Sequence, residues 1–159
     1  MAMLQRPLVW TLASLACAGT ALVAQPRTVW NGVYTNTEAK RGAAAYHTTC
    51  AGCHGADLGG DGNAPSLVGE SFAFQWSDTT VRELFTRMRT LMPPDRPDSL
   101  TRETYRDLVA FVLQANKMPP GLREPDPAPE NLDRIAITDC AMSSTPRVSF
   151  VDPFVREVP

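Results

Sequence analysis

Apolar side chains recur at helical spacing in two stretches of the chain. Val81, Leu84, Phe85 and Met88 fall at i, i+3, i+4 and i+7, and Tyr105, Leu108, Val109 and Val112 repeat those steps. Each set lines one stripe of a 3.6-residue helix. The pattern predicts one helix starting after Asp78 or Thr79, and another following Ser99 and Thr101 and ending near Asn116. Met88 continues the first stripe and reads as helix core. A third helix is expected earlier, from about Glu38 to Cys53, with Thr37 as its N-cap and Glu38 early in the first turn. Gly42 and Tyr46 lie four apart on it and should meet the same neighbour. Between the first and second helices, residues 55–76 are rich in Gly, Asp and Ser and hold no period. A loop of that length is unusual in a compact domain unless something orders it.

Both ends of the chain depart from this pattern. Residues 1–7 carry one positive charge, Arg6, and residues 8–24 (LVWTLASLACAGTALVA) are uncharged, largely apolar and end in small residues. That is the shape of an export signal, cut after Ala24 or after Ala18. At 17 residues the run also reaches the lower limit for a membrane span, so an uncleaved anchor is a second option. Cys17 offers a third, lipid attachment, although Ser14 stands where a large aliphatic residue is usual. All three export the protein. Beyond residue 118, Pro119, Pro120, Pro125, Pro127 and Pro129 make an extended, semi-rigid segment. Residues 131–159 hold a short apolar patch at Ile135 to Ile137 and scattered Val and Phe. They either pack over the preceding domain or a partner, or stay disordered. The expected division is a signal peptide or anchor at 1–24, a domain at 25–121 and a Pro-rich irregular extension at 122–159.

Without the leader about 135 residues remain, enough for one domain with one core. The chain has 15 basic and 17 acidic residues, and losing Arg6 takes its net charge from −2 to −3. No basic run or patch is present, which argues against nucleic acid as a partner.

Candidate chemistry concentrates in Cys50-Ala51-Gly52-Cys53-His54. C-x-x-C-H is the covalent attachment site of a c-type haem. Two thiols three positions apart can each form a thioether to a haem vinyl group, and the next residue offers an imidazole to the iron from the same side. A bare C-x-x-C would equally suit a dithiol or a zinc site. The adjoining histidine, the lack of a second cysteine pair and the export signal favour haem. One such motif means one haem c. Beyond it only Cys140 survives leader removal, a thiol with no partner for an internal disulfide. His47 reads as a surface or haem-edge residue. No other acid, base or nucleophile constellation is present, so nothing outside the motif points to an enzyme.

The chain resembles the class I cytochrome c family, in particular its small periplasmic bacterial members, from about Thr28 to Gly121. The likeness is carried by Gly42 and Tyr46, the C-x-x-C-H motif, Ala64-Pro65-Ser66-Leu67, Phe72 and Trp76, Met92-Pro93-Pro94 and the Tyr105 to Leu113 helix. It implies an all-α cytochrome c fold of three to four helices around one covalently bound haem, with Gly42 letting the first and last helices cross against an aromatic such as Phe111. It implies that His54 is the proximal iron ligand and that the Pro65 carbonyl accepts the other imidazole N–H. Trp76 would close the haem pocket and reach a propionate, with Arg82, Arg87 and Arg89 as further propionate candidates. For the distal ligand the family places a methionine where Met92 stands. Met118 also precedes Pro-Pro and is the runner-up; Met142 lies in an unpatterned tail. The segment Val29-Trp30-Asn31-Gly32-Val33-Tyr34-Thr35 is similar to a lead-in of cytochromes associated with periplasmic dehydrogenases. The implied function is that of an electron-transfer protein and not an enzyme: a periplasmic single-electron carrier between a dehydrogenase and a terminal acceptor, or the cytochrome subunit of a periplasmic oxidoreductase. If Met92 does not ligate, the alternative is a five-coordinate haem for gas binding or peroxidatic chemistry.

Overall fold

The computed structural model describes residues 27–62, 64–122 and 129–138. The leader with Cys17, most of the proline-rich run, Cys140 and Met142 lie outside the described residues. In chain order the elements are β1 (Arg27–Thr28), a 3-10 turn (Val29–Asn31), α1 (Asn36–Thr49), α2 (Ala51–His54), α3 (Gly69–Trp76), β2 (Thr79–Thr80), α4 (Val81–Leu91), α5 (Arg102–Ala115), α6 (Pro129–Leu132) and β3 (Ile135–Ile137). Four of the helices, α1, α3, α4 and α5, run two turns or more, in keeping with an all-α domain of three to four helices.

Helix α1 starts earlier than its expected cap. Thr35, not Thr37, is the N-cap: its hydroxyl accepts from the Glu38 N–H at 3.2 Å, and the Glu38 carboxylate accepts from the Thr35 N–H at 2.8 Å. This reciprocal arrangement needs Thr and Glu three apart, a spacing that Thr37 lacks. Thr80 and Glu83 repeat it at the start of α4. The helix expected to reach Cys53 breaks at Cys50, the boundary residue between α1 and α2. Residues 55–76, expected to be a loop throughout, close with the two-turn helix α3, which buries Phe72 and Trp76 four apart on one face.

Helices α1 and α5 cross at Gly42. A Cβ there would overlap the Asp107 carbonyl and sit 2.9 Å from Cβ of Phe111, so only hydrogen fits. Two ion pairs flank the crossing. Arg41 grips Asp107 through two bonds of 2.7 Å, and Arg106 reaches Glu38 at 3.2 Å. Glu38 is 2 % and Asp107 5 % exposed, and a buried carboxylate is tolerated only with such partners. Around them pack Tyr105, Leu108, Val112 and Leu113 of α5 and Val81, Leu84 and Phe85 of α4.

The carboxyl-terminal segment is not irregular over 129–138. β3 is the central strand of a three-stranded sheet, parallel to β1 (Arg27 opposite Ile135) and antiparallel to β2 (Thr79 opposite Ile137). Ile135, Ile137 and Leu132 are buried in the core shared with α4 and α5. The Trp30 indole donates to the Thr138 carbonyl at 2.9 Å, and Arg82 pairs with Asp133 at 2.6 Å. A small sheet thus joins an otherwise helical fold.

Candidate functional site

Cys50-Ala51-Gly52-Cys53-His54 is wound into one turn at the junction of α1 and α2. The Cys53 and His54 N–H groups both donate to the Cys50 carbonyl, at 3.1 and 3.0 Å. Positions three apart on such a turn are neighbours, so the two thiols share a side. Both are free, Cys50 half-buried and Cys53 exposed. Burial, with the neighbouring Cys53 thiol adding to it, pushes the Cys50 thiol up to about 11.

His54 is 7 % exposed, and its Nδ1 lies 2.9 Å from the Pro65 carbonyl oxygen. A carbonyl only accepts, so Nδ1 carries the proton and Nε2 presents its lone pair. The intervening loop holds itself in place. Gly60 N–H donates to the His54 carbonyl and Leu67 N–H to the Leu58 carbonyl, each at 2.8 Å. Gly60 has φ +77° and sits so close to the Ala64 carbonyl that a Cβ would come within 2.5 Å of its oxygen. The loop thus carries hydrogen bonds of its own that bring Pro65 to His54.

Two residues that the sequence did not connect with this loop support it. The Tyr46 hydroxyl, on α1, donates to the Gly55 carbonyl at 2.6 Å. Asn116, read only as a helix end, clamps the far side: its amide donates to the Leu67 carbonyl at 2.9 Å and accepts from the Gly69 N–H at 3.0 Å. Asparagine at the end of a predicted helix was the one available signal, and it is a common one.

The other candidates separate. Trp76 is buried at the end of α3, with the Arg87 guanidinium 5.9 Å above its ring centroid. Arg82 is held by Asp133, and Arg89 by Asp98 at 2.6 Å. Of the three arginines only Arg87 stands without a carboxylate partner among the described residues. Met92 is half-buried at the end of α4. Met118 is 6 % exposed and packed into the core. His47 is exposed beside Tyr46. Among the described residues no helix is long and apolar enough to cross a membrane.

Residues 37–112 match the family described as cytochrome C oxidase, cbb3-type, subunit III. Neither a curated protein nor a solved structure matches the chain. The matched stretch contains the C-x-x-C-H turn, the Pro65 loop and most of both crossing helices. It forms a c-type cytochrome domain, an all-α fold whose cofactor is a covalently bound haem c and whose work is electron transfer.

Proposed function

We propose that the protein is an exported single-electron carrier whose haem c is bound by Cys50 and Cys53 and ligated axially by His54 and Met92. The observation that carries this reading is the Pro65 carbonyl 2.9 Å from His54 Nδ1. It fixes the ring tautomer and leaves Nε2 as the nitrogen with a free lone pair. With two unpaired thiols on the same turn, these residues fit a covalently held haem. Bound there, the haem supplies one-electron exchange between ferric and ferrous iron.

Met92 is favoured over Met118 because it is only half-buried, whereas Met118 is enclosed by protein. A thioether opposite the imidazole favours the ferrous state and so a high potential. Filling both axial positions also excludes small ligands and leaves the chain to move electrons. The indole N–H of Trp76, steadied by Arg87, is the group this chain would offer a propionate. Residues 1–24 serve as the export leader, with retention as an anchor or lipidation of Cys17 as routes to membrane tethering. The partners are a redox donor, here a periplasmic dehydrogenase, and a terminal acceptor.

Spectra of two variants test the reading. Met92→Ala should keep haem attached, lose the thioether-to-iron charge-transfer band of the ferric protein, lower the midpoint potential and admit carbon monoxide to the ferrous protein. Met118→Ala should do none of this. The reverse result, or ready carbon monoxide binding by the parent protein, would overturn the assignment.

A further inference from the structure

The chain contains two Met-Pro-Pro segments, and each is held in the same manner by a buried tyrosine. The Tyr105 hydroxyl donates to the Met92 carbonyl at 2.8 Å, and the Tyr34 hydroxyl donates to the Met118 carbonyl at 2.5 Å. These carbonyls share a difficulty. Met92 caps the carboxyl end of α4, where helix geometry leaves carbonyls without intrahelical partners. The two residues after it are prolines, which have no N–H to offer. A donor must come from elsewhere in the fold, and α5 supplies it.

We infer that Tyr105 is the positioning residue for the distal iron ligand: its hydroxyl fixes the backbone of Met92 and thereby the reach of the thioether. The inference rests on the assignment of Met92 as that ligand. Tyr105 is fully buried, and its ring meets Phe85 of α4 edge-on, with centroids 6.5 Å apart and planes at 85°. The hydroxyl therefore has one direction to point. On the amide side, the Met92 N–H is bonded to the Met88 carbonyl at 3.0 Å. Beyond it, Asp98 closes the loop onto α4 through its N–H to the Arg89 carbonyl at 2.9 Å and its carboxylate to the Arg89 guanidinium at 2.6 Å. The Met92 peptide is thus tied at both its polar groups, and its loop is shut at the base. Removing the Tyr105 hydroxyl frees the carbonyl side alone.

Tyr105→Phe and Tyr34→Phe in the haem-loaded protein form a matched pair. Each deletes one buried hydroxyl-to-carbonyl bond beside a Met-Pro-Pro segment and keeps the ring, so their general effects on stability should be alike. Tyr105→Phe should weaken the thioether-to-iron band, lower the midpoint potential and speed carbon monoxide binding to the ferrous protein roughly five- to tenfold, the factor an ordinary buried hydrogen bond is worth. Covalent haem content should not change. Tyr34→Phe should leave band, potential and carbon monoxide rate as in the parent. Met92→Ala, measured alongside, separates the possible failures. If Met92→Ala abolishes the band while Tyr105→Phe leaves it intact, the ligand assignment stands and the positioning role is refuted. Equal shifts from both tyrosine variants would mean a general loss of rigidity, which also refutes it. If only Tyr34→Phe perturbs the iron and Met92→Ala is silent, the ligand is Met118 and both readings fall.

Discussion

Gly42→Ala is the most informative single change outside the haem site, because two physical effects oppose each other there. By helix propensity alone alanine should stabilise α1 by about 1 kcal/mol. The new Cβ, however, would overlap the Asp107 carbonyl and lie 2.9 Å from Cβ of Phe111. Carbon atoms rest at about 3.5–4.0 Å, so α1 and α5 must move apart by roughly 1 Å or more. Overpacking of this kind costs about 1–3 kcal/mol. Separation also stretches the Arg41–Asp107 and Arg106–Glu38 pairs, whose carboxylates are buried. Steric cost and weakened pairs together outweigh propensity, leaving a net loss of about 2–3 kcal/mol. For a domain of this size that lowers the melting temperature by roughly 10–20 °C. Far-UV circular dichroism of the haem-loaded protein during a thermal scan measures it. An unchanged or higher melting temperature would show that the crossing has slack and that the reasoning fails.

Three further outcomes are expected. Cys50→Ser and Cys53→Ser should each leave far less covalently bound haem, read by haem staining of denatured protein; parental staining from both would sink the attachment assignment. Arg41→Ala, which strands the buried Asp107 carboxylate, should cost about 2 kcal/mol, less than a fully buried pair because Arg41 is half-exposed. Part of that loss should return in Arg41→Ala/Asp107→Asn, as denaturant midpoints would show. Burial above all, with Asp57 adding to it, pushes the Tyr46 hydroxyl from 10.0 up to about 12 in the chain with free thiols, and burial remains the main cause once Cys50 is a thioether. The unfolded chain therefore releases that proton first, and the associated stability is whole below pH 10.0 and lost as pH rises to about 12. Tyr46→Phe should flatten the decline in stability over that window, and an undiminished slope would contradict the assignment.

What the sequence made legible was local. The α4 and α5 stripes, four residues each, were long enough to place both helices, and C-x-x-C-H announced its chemistry by spacing alone. The start of α1 was also readable, since Thr35 and Glu38 have the three-residue separation of a reciprocal cap. Helix α3 carries little signal: it begins at a glycine with φ +66°, after a residue whose side chain makes no cap bond. The groups that hold the site together are distant in sequence. Asn116 lies 47 and 49 residues from the loop atoms it clamps, and Arg41 lies 66 from Asp107. No periodicity encodes such pairs, because they exist only once α1 and α5 have crossed.

The central strand of the small sheet comes last of the described strands. Residue 135 pairs with residue 27, and residue 137 with residue 79, so both neighbours are made long before the strand that joins them. Contacts of such separation form slowly, since their loops must close first. As the chain emerges from its amino end, β1 and β2 have exposed edges until residues 135–137 arrive. Of the described strands, the last to be made is therefore the one that completes the sheet.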